Sequence, residues 1–211
     1  MRPFWGISWL ITYPLVSYAM GLRVAGRERL LDGAQILASN HVSNIDPVVV
    51  GLAAMRELHF LAKEELFLAS RVFARLIRSY NAWPVQRESG DAAAFRHCSR
   101  LLRRGQTLVL FPEGTRSRTG QLARFKPGVG MFAIANRVPV IPTRIAGLDR
   151  CWVSWFVDRD FVRRGERTWP GRQRGVRVTF GRPVDPGGFD RSRAGYEAMT
   201  RVIEERVREL A

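Results

Sequence analysis

Short apolar runs of strand-forming residues alternate with helical patterns along this chain, and that alternation restricts the fold more than any other feature. Strands are predicted at 22–25, 35–39, 58–62, 82–86, 107–111, 139–145 and 176–180. Helices are predicted at 46–55, 92–104, 127–136 and 196–210, and the apolar period of 63–80 fits one long helix or two short ones. Repeated β-then-α order argues an α/β domain, with a mixed, mostly parallel sheet flanked by helices. The uncharged run 107–111 reads as a buried strand. The alternation of 176–180 suits a sheet edge.

At 211 residues, with 46% apolar and 25% charged residues, the chain can bury one sizeable core. Its net charge is +15, and Lys63 and Lys126 are its only lysines. An excess this basic favours an anionic partner: nucleic acid, a membrane surface or a phosphorylated substrate. Its arginines scatter over many elements, so no nucleic-acid partner is expected. Cys98 and Cys151 lie in no ligand pattern, so no metal site is expected.

Residues 1–22 read as a segment apart from the domain at 23–211. Positions 4–22 carry no charge and lie between Arg2 and Arg23, with Trp5, Trp9 and Tyr13 at helical spacing. An interfacial helix, kinked near Pro14, is the preferred reading. A full span, a signal peptide ending near Ser17-Tyr18-Ala19 and a helix packed on the core are its rivals. The pattern lapses at 149–175, where Trp152, Trp155, Phe156, Phe161 and Trp169 mix with Arg150, Arg159, Arg163, Arg164 and Arg167. That mixture fits a membrane interface, single-stranded nucleic acid or an ordinary surface loop.

Two constellations carry chemistry. In Asn40-His41-Val42-Ser43-Asn44-Ile45-Asp46-Pro47 a predicted strand runs out through a turn into a helix. Asp46-Pro47 reads as a helix start with Asp46 as N-cap. This geometry can set the Asp46 carboxylate on the His41 ring, fixing its tautomer and freeing the other nitrogen to take a proton. The second, Phe111-Pro112-Glu113-Gly114-Thr115-Arg116-Ser117, follows a buried strand directly. A glycine turn and an arginine there suit a phosphate or carboxylate, with Arg124 and Lys126 close by. An ion pair between Glu113 and Arg116 is the bland alternative.

With both constellations in view, the chain resembles the glycerolipid acyltransferases typified by 1-acylglycerol-3-phosphate acyltransferase. Asn40-His41 through Asp46-Pro47 looks like the family's His-x4-Asp block, and 111–117 like its Phe-Pro-Glu-Gly-Thr-Arg-Ser block. Residues 82–87 resemble the block ending in a substrate-binding arginine, and 138–142 the proline-containing block. Asn81 stands where the family more often has glycine. The resemblance implies that His41 is general base, with Asp46 holding its ring. It implies that Arg87, Glu113, Gly114, Thr115, Arg116 and Lys126 bind the acceptor. The donor would be acyl-CoA or acyl carrier protein, and the acceptor a membrane lysolipid. No cofactor would be needed. The absence of a Gly-x-Ser-x-Gly elbow agrees with direct transfer. The setting implied is the cytoplasmic face of the cell membrane, with peripheral attachment or one N-terminal span, because both donors are cytoplasmic.

Overall fold

The computed structural model describes residues 3–85, 92–163 and 175–210. Seven strands form one sheet: β1 (Arg23–Ala25), β2 (Gln35–Ser39), β3 (Leu58–Lys63), β4 (Ala82–Val85), β5 (Thr107–Leu110), β6 (Val140–Ala146) and β7 (Arg177–Phe180), in the order β1-β7-β6-β2-β5-β3-β4. All pairings are parallel except β6 with β7. The mixed, mostly parallel α/β sheet is therefore as expected. β7 is not an edge, however. The three-residue β1 pairs outside it and takes that position.

The central strand β2 is buried at every residue, between β5 and β6. Its run of Ile36, Leu37 and Ala38 is apolar on both sides because helices cover both faces. One layer holds α1 (Pro3–Met20), α2 (Asp46–Ala54) and α7 (Trp152–Val157), packed on Leu37, Val109, Ile141 and Ile145. The other holds α5 (Ala92–Arg103), α6 (Gly128–Asn136) and α9 (Arg193–Glu209), packed on Ile36, Ala38, Leu108 and Val140. The 63–80 segment forms two short helices, α3 (Glu64–Leu68) and α4 (Arg71–Ser79), because Ser70 caps the second with its side chain. A short helix α8 (Arg159–Arg163) follows α7. Gly130 lets α6 and α9 touch, since a Cβ there would strike the Tyr196 carbonyl.

Two expectations for the N-terminal segment are corrected. Among the described residues no helix is long and apolar enough to cross a membrane, so the single span is not supported. Two of the three aromatic residues at helical spacing, Trp9 and Tyr13, also turn inward. Trp9 is buried, and Tyr13 and Val16 pack against the core, while Leu10, Leu15 and Tyr18 face outward. Tyr13 and Trp9 fall one turn apart, and burying two large rings outweighs their interfacial preference.

The other exposed large apolar groups are unevenly spread. Leu68, Val72 and Leu76 project from α3 and α4, and Trp152 and Phe156 from α7. Among the described residues, none lies on α5, α6 or α9.

Candidate active site

The parallel strands β2, β5 and β6 end together, and both constellations leave the sheet at that end. His41 follows β2 in a turn that reverses into α2. Asp46 is not the N-cap. Ile45 holds that position, and Asp46 lies in the first helical turn with its side chain folded back. Asp46 Oδ2 lies 2.5 Å from His41 Nδ1 and accepts the N–H groups of Val42 at 2.7 Å and Ser43 at 3.0 Å. The loop is thus wrapped around one oxygen. His41 stacks on Phe111, centroids 4.4 Å apart. Its Nδ1 is committed to Asp46, which leaves Nε2 as the nitrogen for chemistry.

Asp46 is fully buried. Burial pushes its carboxyl above the usual range, against the opposing pull of His41, Ser43 and Val42.

The second constellation grips the first through the backbone. Glu113 Oε1 accepts the His41 N–H at 2.8 Å, and the Ser117 N–H donates to the His41 carbonyl at 2.7 Å. Glu113 Oε2 accepts the Ala123 N–H at 3.0 Å. Glu113 therefore holds the histidine's main chain and does not pair with Arg116. Burial raises its pKa, with the His41 and Ala123 N–H groups opposing.

Arg116 turns to the 149–175 insert. Its Nη1 donates to Asp158 at 2.7 Å and its Nη2 to Asp160 at 2.7 Å, and its guanidinium lies 4.4 Å from the centre of the Phe161 ring. Asp158 is fully buried and accepts also from Ser43 Oγ, Ser154 Oγ and the Asn44 N–H. The insert thus straps the His41 turn to the Arg116 loop. No motif marks Asp158 or Asp160, and an acidic pair in an arginine-rich segment was the one available signal.

Gly114 has φ 74°, which favours glycine. The Lys126 Nζ lies where a side chain would project, 2.8 Å from an added Cβ. Thr115 and Lys126 are exposed at this turn. Arg87 lies outside the described residues, as do Trp169, Arg164 and Arg167. His97 stacks on Trp83 with centroids 3.7 Å apart. Among the described residues, no group of three or more His, Cys, Asp or Glu is placed to hold a metal ion.

A family model described as Acyltransferase matches residues 21–146, more than half of the chain, and the chain belongs to that family. It is an acyltransferase, and the relatives it is similar to are narrower in kind. The 1-acyl-sn-glycerol-3-phosphate acyltransferase of Bacillus subtilis (strain 168) is 24% identical over 200 residues, covering 93% of this chain and 91% of that protein. A probable 1-acyl-sn-glycerol-3-phosphate acyltransferase of Mycoplasma pneumoniae is 28% identical over 192 residues, covering 84% and 69%. The crystal structure of the 1-acyl-sn-glycerophosphate (LPA) acyltransferase, PlsC, from Thermotoga maritima matches with TM-score 0.68 and 27% identity. That match covers 100% of this chain and 83% of the other.

Proposed function

We propose that this chain transfers an acyl group from an acyl thioester, acyl-CoA or acyl carrier protein, to the free hydroxyl of 1-acylglycerol 3-phosphate. The product is phosphatidic acid, a phospholipid precursor. The observation that carries the reading is the His41–Asp46 pair, held at the sheet end by the Glu113–Ser117 turn. His41 Nε2 takes the acceptor's hydroxyl proton as the oxygen attacks the thioester carbonyl. The tetrahedral adduct collapses, the C–S bond breaks, and the thiolate takes the proton back from the imidazolium. Asp46 stabilises that imidazolium and fixes its orientation. No acyl-enzyme is formed, and no cofactor takes part.

On the acceptor side, Gly114 and Thr115 bring backbone and hydroxyl groups to the glycerol phosphate, and Lys126 and Arg87 bring charge. Glu113 shapes this turn through its hold on His41. Arg116 reaches the phosphate by giving up Asp160, which is partly exposed, while keeping Asp158. We place the enzyme on an anionic cytoplasmic leaflet as a monotopic protein. The basic surface and the apolar groups of α1, α4 and α7 support that setting.

The test is transfer from a CoA thioester to detergent-dispersed 1-acylglycerol 3-phosphate, following thiol release and diacyl product. Wild type is expected to be active, and His41→Ala to lose about 10²–10⁴-fold in kcat. Activity only with another lysolipid would keep the chemistry and overturn the acceptor. Silence with every acceptor and both donors would overturn catalysis.

A further inference from the structure

Arg144 occupies the site end of β6. Ser39 pairs with Thr143, so Arg144 stands level with Asn40, one residue before His41. The Asn40 side chain fixes this backbone, donating to the Ile145 carbonyl at 2.9 Å and accepting the Ile145 N–H at 2.7 Å. Ile141 and Ile145 belong to the α2 layer and Val140 to the α9 layer. Strand alternation therefore turns Arg144 toward α9 and the Glu113 turn.

Two of its nitrogens, Nε and Nη1, are buried without a hydrogen-bond partner. The charges acting on it are Glu113 and Asp149, of opposite sign, and Arg208, of like sign. Glu113 is already committed, since each of its oxygens accepts a backbone N–H. Burial lowers the Arg144 pKa, but an arginine stays charged. A half-buried cation with two buried, idle donors is costly, and an incoming anion recovers that cost.

Arg116 is in the opposite condition. Both of its terminal nitrogens are satisfied by carboxylates, and an aromatic ring covers it. An anion arriving here must displace one of those carboxylates.

We propose that Arg144 is a docking point for a substrate phosphate, the idle donors at the end of β6 being completed by phosphate oxygens. Lys126, over Gly114, contributes charge at the same turn. The phosphate belongs to the lysolipid acceptor or to a CoA donor, and both sources offer the same chemistry. The inference rests on the acyl-transfer reading for its substrates, so one test does not depend on turnover.

The variants are Arg144→Gln and Arg144→Lys. In the kinetic test, Arg144→Gln raises one KM about 10–100-fold, as expected for lost charge-assisted hydrogen bonds, with kcat nearly unchanged. Arg144→Lys recovers part of the loss. If the acceptor supplies the phosphate, wild type and variant become equal on 1-acylglycerol, which lacks it. If the donor does, they become equal on an acyl-pantetheine thioester.

The second test is thermal melting with inorganic phosphate against sodium chloride of equal ionic strength. Phosphate raises the wild-type Tm by mass action and leaves that of Arg144→Gln unchanged. Without phosphate the variant melts no lower than wild type, because Nε and Nη1 have no native hydrogen bond to lose and the desolvation cost on the charge outweighs the attraction of Glu113 and Asp149. Equal protection of both proteins, no protection of either, or unchanged KM values for both substrates would overturn the proposal. So would a variant of lowered Tm without phosphate. Wild type that is protected by phosphate yet transfers no acyl group would overturn the activity reading and leave the anion site standing.

Discussion

Asp46 and Glu113 are buried carboxyls whose pKa values are raised, both chiefly by burial. A carboxyl with a raised folded pKa binds its proton more tightly folded than unfolded. Its ionised form therefore costs stability at neutral pH, and that cost is relieved as pH falls through the raised value toward the ordinary one near ~4. Wild type should gain Tm, relative to Asp46→Asn, on going from neutral pH toward pH ~5. Melting curves across that window check it, and a parallel pair of curves would refute it. At neutral pH the same variant should lose about 10³–10⁴-fold in kcat, because the amide no longer fixes the ring tautomer. The His41–Asp46 contact was legible in the sequence because the pair lies five positions apart across one turn. Glu113's hold on the His41 N–H spans 72 positions and was not. Local pattern shows that a glutamate sits in a turn but says nothing of which distant backbone it meets.

Among the elements, the insert departs furthest from its sequence pattern. Helices α7 and α8 have six and five residues, too short for a period to show. Their contribution is Asp158, whose partner Ser43 lies 115 positions away. Asp158→Ala strands the Asn44 N–H, leaves the Ser43 and Ser154 hydroxyls with only each other and removes one of the two carboxylates on Arg116, and should cost about 1–3 kcal/mol in chemical denaturation. Activity should fall further than stability accounts for, since the freed loop is the one that carries His41. Asp158→Asn should restore part of both, because it keeps an acceptor oxygen. Unchanged stability in the alanine variant would show that the strap is not holding. The βα elements proper were legible from apolar runs, caps and turns. The place of β7 was not: the strand at 22–25 was legible, but its pairing with a strand more than 150 positions away leaves no mark in the local pattern.

On the scale of the whole molecule, charge and apolar exposure act together. The +15 charge is read directly from composition, whereas the uneven spread of exposed apolar groups over the helices exists only once the chain is folded. Val72 and Leu76 lie one turn apart on α4, with Arg71 and Arg75 exposed beside them. Val72→Glu with Leu76→Glu should cut binding to anionic vesicles about tenfold or more, through two lost apolar contacts and two added like charges. Salt should weaken the wild-type interaction. Sedimentation with vesicles measures both effects, and unaltered binding by the double variant would remove α4 from the membrane face. The choice of arginine over lysine has a practical side. Lys63 and Lys126 are both exposed, and no other side chain carries a primary amine. An amine-reactive dye therefore has two side-chain targets besides the chain's own terminus, and one of them rests against Gly114. Its labelling rate, with and without substrate, is a ready gauge of whether that turn is occupied, in a protein whose remaining positive charge the reagent leaves intact.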